Sequence, residues 1–225
     1  MRRLLLALLV LCVAVPAIAL AAGTDPKKQL TTADQAKARS ILPRRADFAA
    51  GWKKVPSTPD SDATCPGFNP NESDLTLTGE AEADFEHTQG VPAFYTASEV
   101  WKTKADALKS WSRSAKPAVA RCLAHFLQEG IGGEPGAKLA IVSQGPFAFP
   151  KVAPRTIALR VVARLTVTKA GEAPVSVPLT VHLIGLGHGR GDVSLLAMSF
   201  GAGVPVAELR AFAQITERRM AAAKL

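Results

Sequence analysis

The sequence predicts a single α+β domain that is stapled by one disulfide. Three observations support this fold class: capped segments with apolar residues at helical spacing, long segments of alternating apolar residues in the C-terminal half, and two cysteines that follow an export signal. Removing that signal leaves roughly 200 residues, enough for one core that buries about 70% of the surface of the unfolded chain. We therefore expect a signal peptide over residues 1–22, a linker over 23–30 and one domain over 31–225.

The N-terminal segment is typical of a secretory signal peptide. Two arginines follow Met1, an apolar stretch covers Leu4–Val15, and small residues precede a cleavage point near Ala21 and Ala22. The alternative is a retained anchor, because apolar residues continue to Ala22 and could just span a bilayer. No later stretch is long enough for a membrane helix. We therefore expect a secreted protein, or one at the extracytoplasmic cell surface, with no transmembrane segment after cleavage.

Four helices are predicted from caps and from the spacing of apolar residues. The first begins with a capping box of Thr32 and Gln35 and ends before Pro43. The predicted ranges are 32–42, 103–115, 117–130 and 206–225. On the last helix we expect Leu209, Phe212, Ala213 and Met220 to point inward and Arg210, Arg218 and Arg219 to point outward.

Strand register is predicted in the C-terminal half. When two antiparallel strands are half-buried, the alternating apolar residues of both strands must lie on the same face of the sheet. A three-residue turn at 170–172 gives a register that meets this condition. A third strand follows a turn at 187–192. The predicted pairs are Leu159–Leu183, Val161–Val181, Leu183–Leu196, Val181–Met198, Ile184–Leu195 and Leu186–Val193. Earlier in the chain, residues 75–102 are extended, with a turn at Gln89-Gly90.

Cys65 and Cys122 remain after the signal is removed, since Cys12 lies within it. In an exported protein such a pair predicts a disulfide. The alternative is that one cysteine is a reactive thiol and the other a buried thiol, but no local sequence motif supports it. The bond closes a loop of about 58 residues, for which the chain-entropy estimate is roughly 4 kcal/mol of stabilisation. Because Cys122 lies on the apolar stripe of its helix, we expect the bond to be buried.

Charge is unevenly distributed along the chain. The formal net charge is +8, yet no Lys or Arg lies between Val55 and Trp101, a stretch that holds nine acids. We therefore expect an acidic side and a basic side. Proteins that recognise nucleic acids usually carry basic residues interleaved with aromatic residues, or a known binding motif, and this sequence has neither feature. A basic surface suited to the anionic cell envelope is the better interpretation.

Arg160, Arg164 and His182 form the predicted ligand-binding site. The strand register places Arg160 opposite His182, with Arg164 two pairs away on the same face. Two guanidinium groups there would bind an anion and would lower the pKa of His182.

Four carboxylates alternate along one predicted strand: Glu80, Glu82, Asp84 and Glu86. On a strand they share one face at steps of about 6.7 Å. This spacing suits the acid and base of an inverting glycosidase, whose carboxyl groups stand roughly 6.5 to 9.5 Å apart. The competing interpretation is a solvated strand face, or one paired with Lys and Arg from a neighbouring strand.

Other motifs are weak. The four histidines have no zinc-type spacing, so we expect neither a metal nor a cofactor. Ser199 lies in a segment similar to a nucleophile elbow, but no histidine follows it as an α/β-hydrolase would require. Arg190-Gly191-Asp192 spells an adhesion tripeptide that a loop tip would display.

Several short segments resemble uncharacterised secreted proteins of actinobacteria. They are Leu42-Pro43, Asp47-Phe48, Gly51-Trp52, Cys65, Glu99-Val100-Trp101-Lys102-Thr103 and Cys122-Leu123. More distantly, the layout is similar to extracellular sensor domains of actinobacterial membrane kinases and to PsbP-like lipoproteins. The resemblance implies a twisted antiparallel sheet packed by helices, a ligand-binding cleft and no established catalytic residues. Unlike those relatives, this chain has no kinase domain, stop-transfer helix or lipobox.

The sequence therefore favours an exported, non-enzymatic, sensor-like binding module that acts as a monomer at the cell envelope. Its partner would be an anionic or amphipathic small ligand or an envelope polymer. Two alternatives stay open: an envelope hydrolase that uses the carboxylates of Glu80–Glu86, and a structural or adhesive surface protein.

Overall fold

A computed structural model describes residues 25–57, 65, 67–88, 91–169 and 171–225. The predicted signal peptide (1–22) with its cleavage point near Ala21 and Ala22 lies outside the described residues, as do the turn Gln89-Gly90 and Ala170. Within the described residues the chain is an α+β domain, as the sequence predicts. None of the described helices is both long and apolar enough to cross a bilayer.

The elements follow one another along the chain as short N-terminal pieces, a hairpin, two helices, a meander of four strands and a final helix. In order they are β1 (Lys27–Lys28), α1 (Thr32–Ile41), a 3₁₀ turn (Arg45–Asp47), β2 (Trp52–Val55), β3 (Thr76–His87), β4 (Ala93–Trp101), α2 (Lys104–Ser114), α3 (Ala118–Gly130), β5 (Ala137–Pro146), β6 (Arg155–Val167), β7 (Val175–His188), β8 (Gly191–Phe200) and α4 (Val206–Ala222).

The strands form one sheet in the order β1-β3-β4-β8-β7-β6-β5, and β2 pairs with the far end of β3. All pairs are antiparallel except β1 with β3, which makes the sheet mixed. Strand β1 lies within the segment predicted as a linker.

The predicted register is confirmed at every pair. Leu159 lies opposite Leu183, Val161 opposite Val181 and Leu183 opposite Leu196. Ile184 faces Leu195, and Leu186 faces Val193. The turn after β7 is shorter than predicted, because β7 continues to His188 and β8 already begins at Gly191. Gly189 permits this tight turn with a φ of 54°, a conformation that favours glycine.

Helices cover both faces of the sheet. Helices α2 and α3 lie on the face that carries Leu159, Val161, Leu183 and Leu196, here called the front face. Helices α1 and α4 pack against the back face, which carries Ile184, Leu186 and Leu195. The amphipathic stripes of these helices explain the two layers, because each stripe must bury its apolar side against the sheet.

Helix ends depart from the prediction in two details. Helix α1 is capped one residue earlier than expected, by Thr31, whose Oγ1 accepts a hydrogen bond from the Asp34 amide at 3.1 Å. On α4 the four predicted inward residues are buried, but Arg219 does not point freely outward. Its guanidinium pairs with Asp47 at 2.7 Å, so it ties α4 to the 3₁₀ turn.

Candidate functional site

The structure brings two of the three predicted site residues together on the back face. Arg160 is the cross-strand partner of His182, while Arg164 lies opposite Pro178 further along β6. Both arginines are exposed, whereas His182 is only 2% exposed. The Phe147 ring lies 5.1 Å from the imidazole, and the Arg160 guanidinium lies 5.7 Å from the Phe147 ring.

Burial lowers the pKa of His182 to about 4, and the charge of Arg160 adds to this shift. The sequence predicts this direction from the charges of Arg160 and Arg164, but burial is the larger cause of the shift and Arg160 the smaller one. The Nδ1 atom of His182 is buried and has no hydrogen-bond partner in the described part of the chain. The imidazole is therefore enclosed and neutral, which separates it from the solvent-facing guanidinium groups. A ligand site at these three residues stays a prediction.

The four alternating carboxylates lie on one face of β3, as predicted, but in different surroundings. Glu80 pairs with Lys28 at 2.9 Å and Glu86 with Lys53 at 3.9 Å. Asp84 is 2% exposed, and burial raises the pKa of its carboxyl, although the Thr96 amide donates a hydrogen bond to it. Pairing with lysines from neighbouring strands matches the competing interpretation for Glu80 and Glu86.

The charged side chains of the tripeptide Arg190-Gly191-Asp192 are not displayed at a loop tip, because both pair with other parts of the chain. The Arg190 guanidinium pairs with Asp34 at 2.9 Å. Asp192 lies inside strand β8, where its carboxylate accepts hydrogen bonds from Arg155 and from Trp101 Nε1, both at 3.0 Å. Both charged side chains of the tripeptide therefore serve the fold.

A cavity of about 150 Å³ lies between the front face and helices α2 and α3. Its floor comes from β4, β6, β7 and β8, and its roof from the two helices and the segment before β3. The apolar lining consists of Trp111, Ala115, Val119, Ile157, Leu159 and Leu183. Hydroxyl groups of Ser110, Ser114 and Ser194 and three carboxyl groups complete the walls.

The three carboxyl groups belong to Glu72, Glu99 and Asp192. Glu99 of β4 and Asp192 of β8 are direct cross-strand partners, so their side chains lie next to each other on the front face. Glu72 is 7% exposed and accepts hydrogen bonds from Ser110 Oγ at 2.7 Å and Ser114 Oγ at 3.1 Å. Two serines of one helix thus hold Glu72 at the cavity.

The cavity favours protonated carboxyl groups. Burial raises the pKa of Glu99 to about 8, and the negative charges of Glu72, Asp192 and Glu80 add to this shift, while Lys28 opposes it. Burial also raises the pKa of Asp192 to about 6, although Arg155 and Trp101 stabilise its carboxylate. Near neutral pH, Glu99 is therefore mainly a carboxylic acid and Asp192 mainly a carboxylate.

Glycines keep this part of the sheet open. A Cβ atom on Gly185 would lie 2.8 Å from Ile157 Cγ2 and 3.4 Å from the Trp111 ring. A Cβ atom on Gly187 would lie 2.5 Å from the Asp192 carboxylate and would also collide with Arg155. The missing side chains leave room for the Trp111 ring over the floor and for the Arg155–Asp192 ion pair.

Among the described residues, no cluster of His, Cys, Asp or Glu has an arrangement that could hold a metal ion. Comparison of the chain with protein-family models and with curated proteins gives no match.

The three residues predicted from the sequence as a ligand site, Arg160, Arg164 and His182, do not line the cavity. Glu72 and Glu99 both belong to the stretch without Lys or Arg, so the charge pattern could have drawn attention to them. Asp192 and Trp111 carry no comparable signal in the sequence, because a single acid after a turn and a single aromatic residue on a helix are both common in folded domains.

Proposed function

We propose that this chain is an exported, non-enzymatic ligand-binding module whose site is the cavity under α2 and α3. The observation that supports this most is the meeting of apolar walls and three carboxyl groups in a space of about 150 Å³. Binding sites for small molecules are concave and mostly apolar, with a few polar groups that converge on the ligand.

The energetics support a binding role for this space. Side chains that filled this space would gain packing contacts with its apolar walls, and the chain forgoes those contacts. Placing Glu99 at its wall adds a desolvation cost that an apolar side chain would avoid. Natural proteins keep destabilising features such as an unfilled space or a desolvated carboxyl group mainly where function requires them.

The size of the cavity limits the ligand. A cavity of this volume lined by apolar groups accommodates a benzene-sized molecule. The ligand, or the part of it that enters, is therefore about one ring or a short alkyl chain in size, with a polar group directed toward Glu99 and Asp192.

A fragment screen with a cavity-filling variant tests the proposal. We expect some single-ring fragments to raise the thermal unfolding midpoint and to shift the indole NMR signal of Trp111. Ala97→Leu fills the cavity from β4 and should abolish both effects while it preserves the fold. Ala140→Leu, at an exposed position of β5, is the matched control and should bind like the unaltered chain. Equal binding by Ala97→Leu, or binding by no fragment, would refute the proposal.

A further inference from the structure

We infer that the cavity takes a small organic cation: a protonated primary amine whose ammonium group lies between Glu99 and Asp192 and whose ring or alkyl chain lies against Trp111. This inference rests on the proposed function and names the ligand class for the same site.

The carboxyl end of the cavity provides the first argument. Directly opposed residues of antiparallel strands have Cβ atoms about 4.5–5.5 Å apart, which lets one ammonium group reach both Glu99 and Asp192. Glu72 approaches from the roof. An ammonium group has three N–H donors and no acceptor, so it matches a site built from carboxylate oxygens.

The charge balance around the cavity provides the second argument. Arg155 pairs with Asp192 at 3.0 Å, and the ammonium of Lys28 lies 2.9 Å from Glu80. The charged groups that act on the Glu99 carboxyl are three acids, Glu72, Asp192 and Glu80, and one base, Lys28. A bound cation would offset the excess of acidic groups around the cavity, whereas a bound anion would add to it.

The apolar end gives the ligand its second contact. Trp111 and Leu183 provide the walls, and Gly185 keeps the floor beneath the indole free of a side chain. The Arg155 guanidinium already lies 5.7 Å from the centroid of the Trp111 ring. The apolar walls therefore take the ring or alkyl chain of the ligand, and its ammonium group lies at the carboxyl end, where Arg155 already contacts one oxygen of Asp192.

Binding of such a cation is coupled to release of a proton. Near pH 7 Glu99 is mainly protonated, and an ammonium beside it favours the carboxylate. The amine enters with its own proton, the Glu99 carboxyl loses one, and that proton passes to the buffer. No covalent bond forms. The coupling involves Glu99 together with Glu72, Asp192, Glu80, Lys28 and Arg155, which are the charged groups around it.

Calorimetry with three probes of similar shape tests the inference. The probes are benzylamine, benzyl alcohol and benzoate, with n-butylamine as an alkyl analogue. At pH 7 we expect at least one amine to bind at least tenfold more tightly than benzyl alcohol, and benzoate not to bind. Titrations in buffers of different ionisation enthalpy should reveal release of most of one proton, with less release at pH 8.5.

Two variants distinguish the effect of the Glu99 carboxyl on amine binding from the effect of negative charge elsewhere on the surface. Glu99→Gln keeps the shape of the protonated side chain, and it should lose the proton release and at least tenfold in amine affinity. Glu86→Gln removes a carboxylate of β3 that lies on the same face of the sheet but outside the cavity, and it should leave both the proton release and the amine affinity unchanged.

The outcomes distinguish the two proposals. If benzyl alcohol binds as tightly as both amines and no proton is released, the cavity is a binding site but the cation assignment is wrong. Unchanged amine binding by Glu99→Gln would also overturn it. If Ala97→Leu binds every probe like the unaltered chain, the proposed site itself fails.

Discussion

Two titratable side chains, one on each face of the sheet, are held in their neutral forms by burial. The pKa of Glu99 is raised to about 8, and that of His182 is lowered to about 4. In both cases the charged form loses more hydration than the surroundings return. The two side chains differ in how a ligand could reach them, because His182 lies against the Phe147 ring while Glu99 lines a cavity. The charge of Glu99 is therefore the one that a ligand can change.

Glu99 should make the fold less stable as the pH rises. Its folded pKa, about 8, exceeds the ordinary value of 4.5, so between these values the folded chain binds more protons than the unfolded chain. The free energy of unfolding then falls with increasing pH across this window. The glutamine of the Glu99→Gln variant has no proton to lose. We therefore expect this variant to be more stable than the unaltered chain by about 1–3 kcal/mol at pH 8.5 and to differ little from it at pH 4.5.

Urea unfolding at pH 4.5, 6.5 and 8.5 measures this difference. Glu86→Gln, which removes a more accessible carboxylate from β3, should follow the unaltered chain at each pH. Parallel stability curves for Glu99→Gln and the unaltered chain would show that Glu99 ionises as it does in the unfolded state.

At the scale of elements, one row of residues crosses four strands at the cavity. Glu99 lies opposite Asp192, Asp192 opposite Gly187, and Gly187 opposite Arg155. Because Gly187 has no side chain, Arg155 reaches across it to Asp192. The glycine is thus a structural requirement of the ion pair that neutralises one carboxylate of the cavity.

Gly187→Ala should separate Arg155 from Asp192. The new methyl group would collide with the Arg155 side chain and lie 2.5 Å from the Asp192 carboxylate, so the pair must separate. We expect a loss of about 2–4 kcal/mol in the free energy of unfolding, since both partners are largely buried. Gly130→Ala, at a helix end where a Cβ meets open space, should be neutral or slightly stabilising. Equal urea midpoints for the two variants would contradict this account.

Strand pairing was predictable because it depends on a short period and a local turn. Leu159 and Leu183 pair as expected since any one-residue slip would turn their apolar neighbours to the wrong face. Thr103 likewise caps helix α2 as predicted, because its side chain accepts a hydrogen bond from the Asp106 amide at 3.0 Å. The exact turn after β7 was less predictable, because glycines at 187, 189 and 191 each permit a tight turn.

At the scale of the whole molecule, the cavity depends on contacts that neither periodicity nor a motif encodes. Glu72, Glu99 and Asp192 come from a loop and two strands, and their meeting follows from the strand order β4-β8 and the position of α2. The acidic stretch before Trp101 indicated an acidic side, but not that two of its members face an interior space. How far α2 stands from the sheet is set by side-chain packing across that space.

The disulfide supports the roof of this cavity from outside. Cys65 and Cys122 are bonded, with Cα atoms 5.3 Å apart, which confirms the predicted pairing and attaches the segment that leads to Glu72 to helix α3. Phe68 of that segment packs near Val119 and Leu159, two residues of the cavity wall. The bond therefore restricts both the unfolded chain and the position of Glu72.

Replacing both cysteines by alanine should reduce stability and loosen the site together. The chain-entropy estimate gives a loss of roughly 4 kcal/mol for a loop of this length, measurable by urea unfolding. We also expect weaker binding of any fragment that enters the cavity, because the segment that carries Glu72 loses one of the contacts that hold it. The remaining contacts are the bonds from Ser110 and Ser114 to Glu72 and those from Arg113 to Asn71 and Asp74. Reduction of the unaltered chain by dithiothreitol is the control and should reproduce both effects. A variant that loses stability but binds fragments with unchanged affinity would mean that the contacts with helix α2 suffice to position Glu72, and that the disulfide serves only the fold.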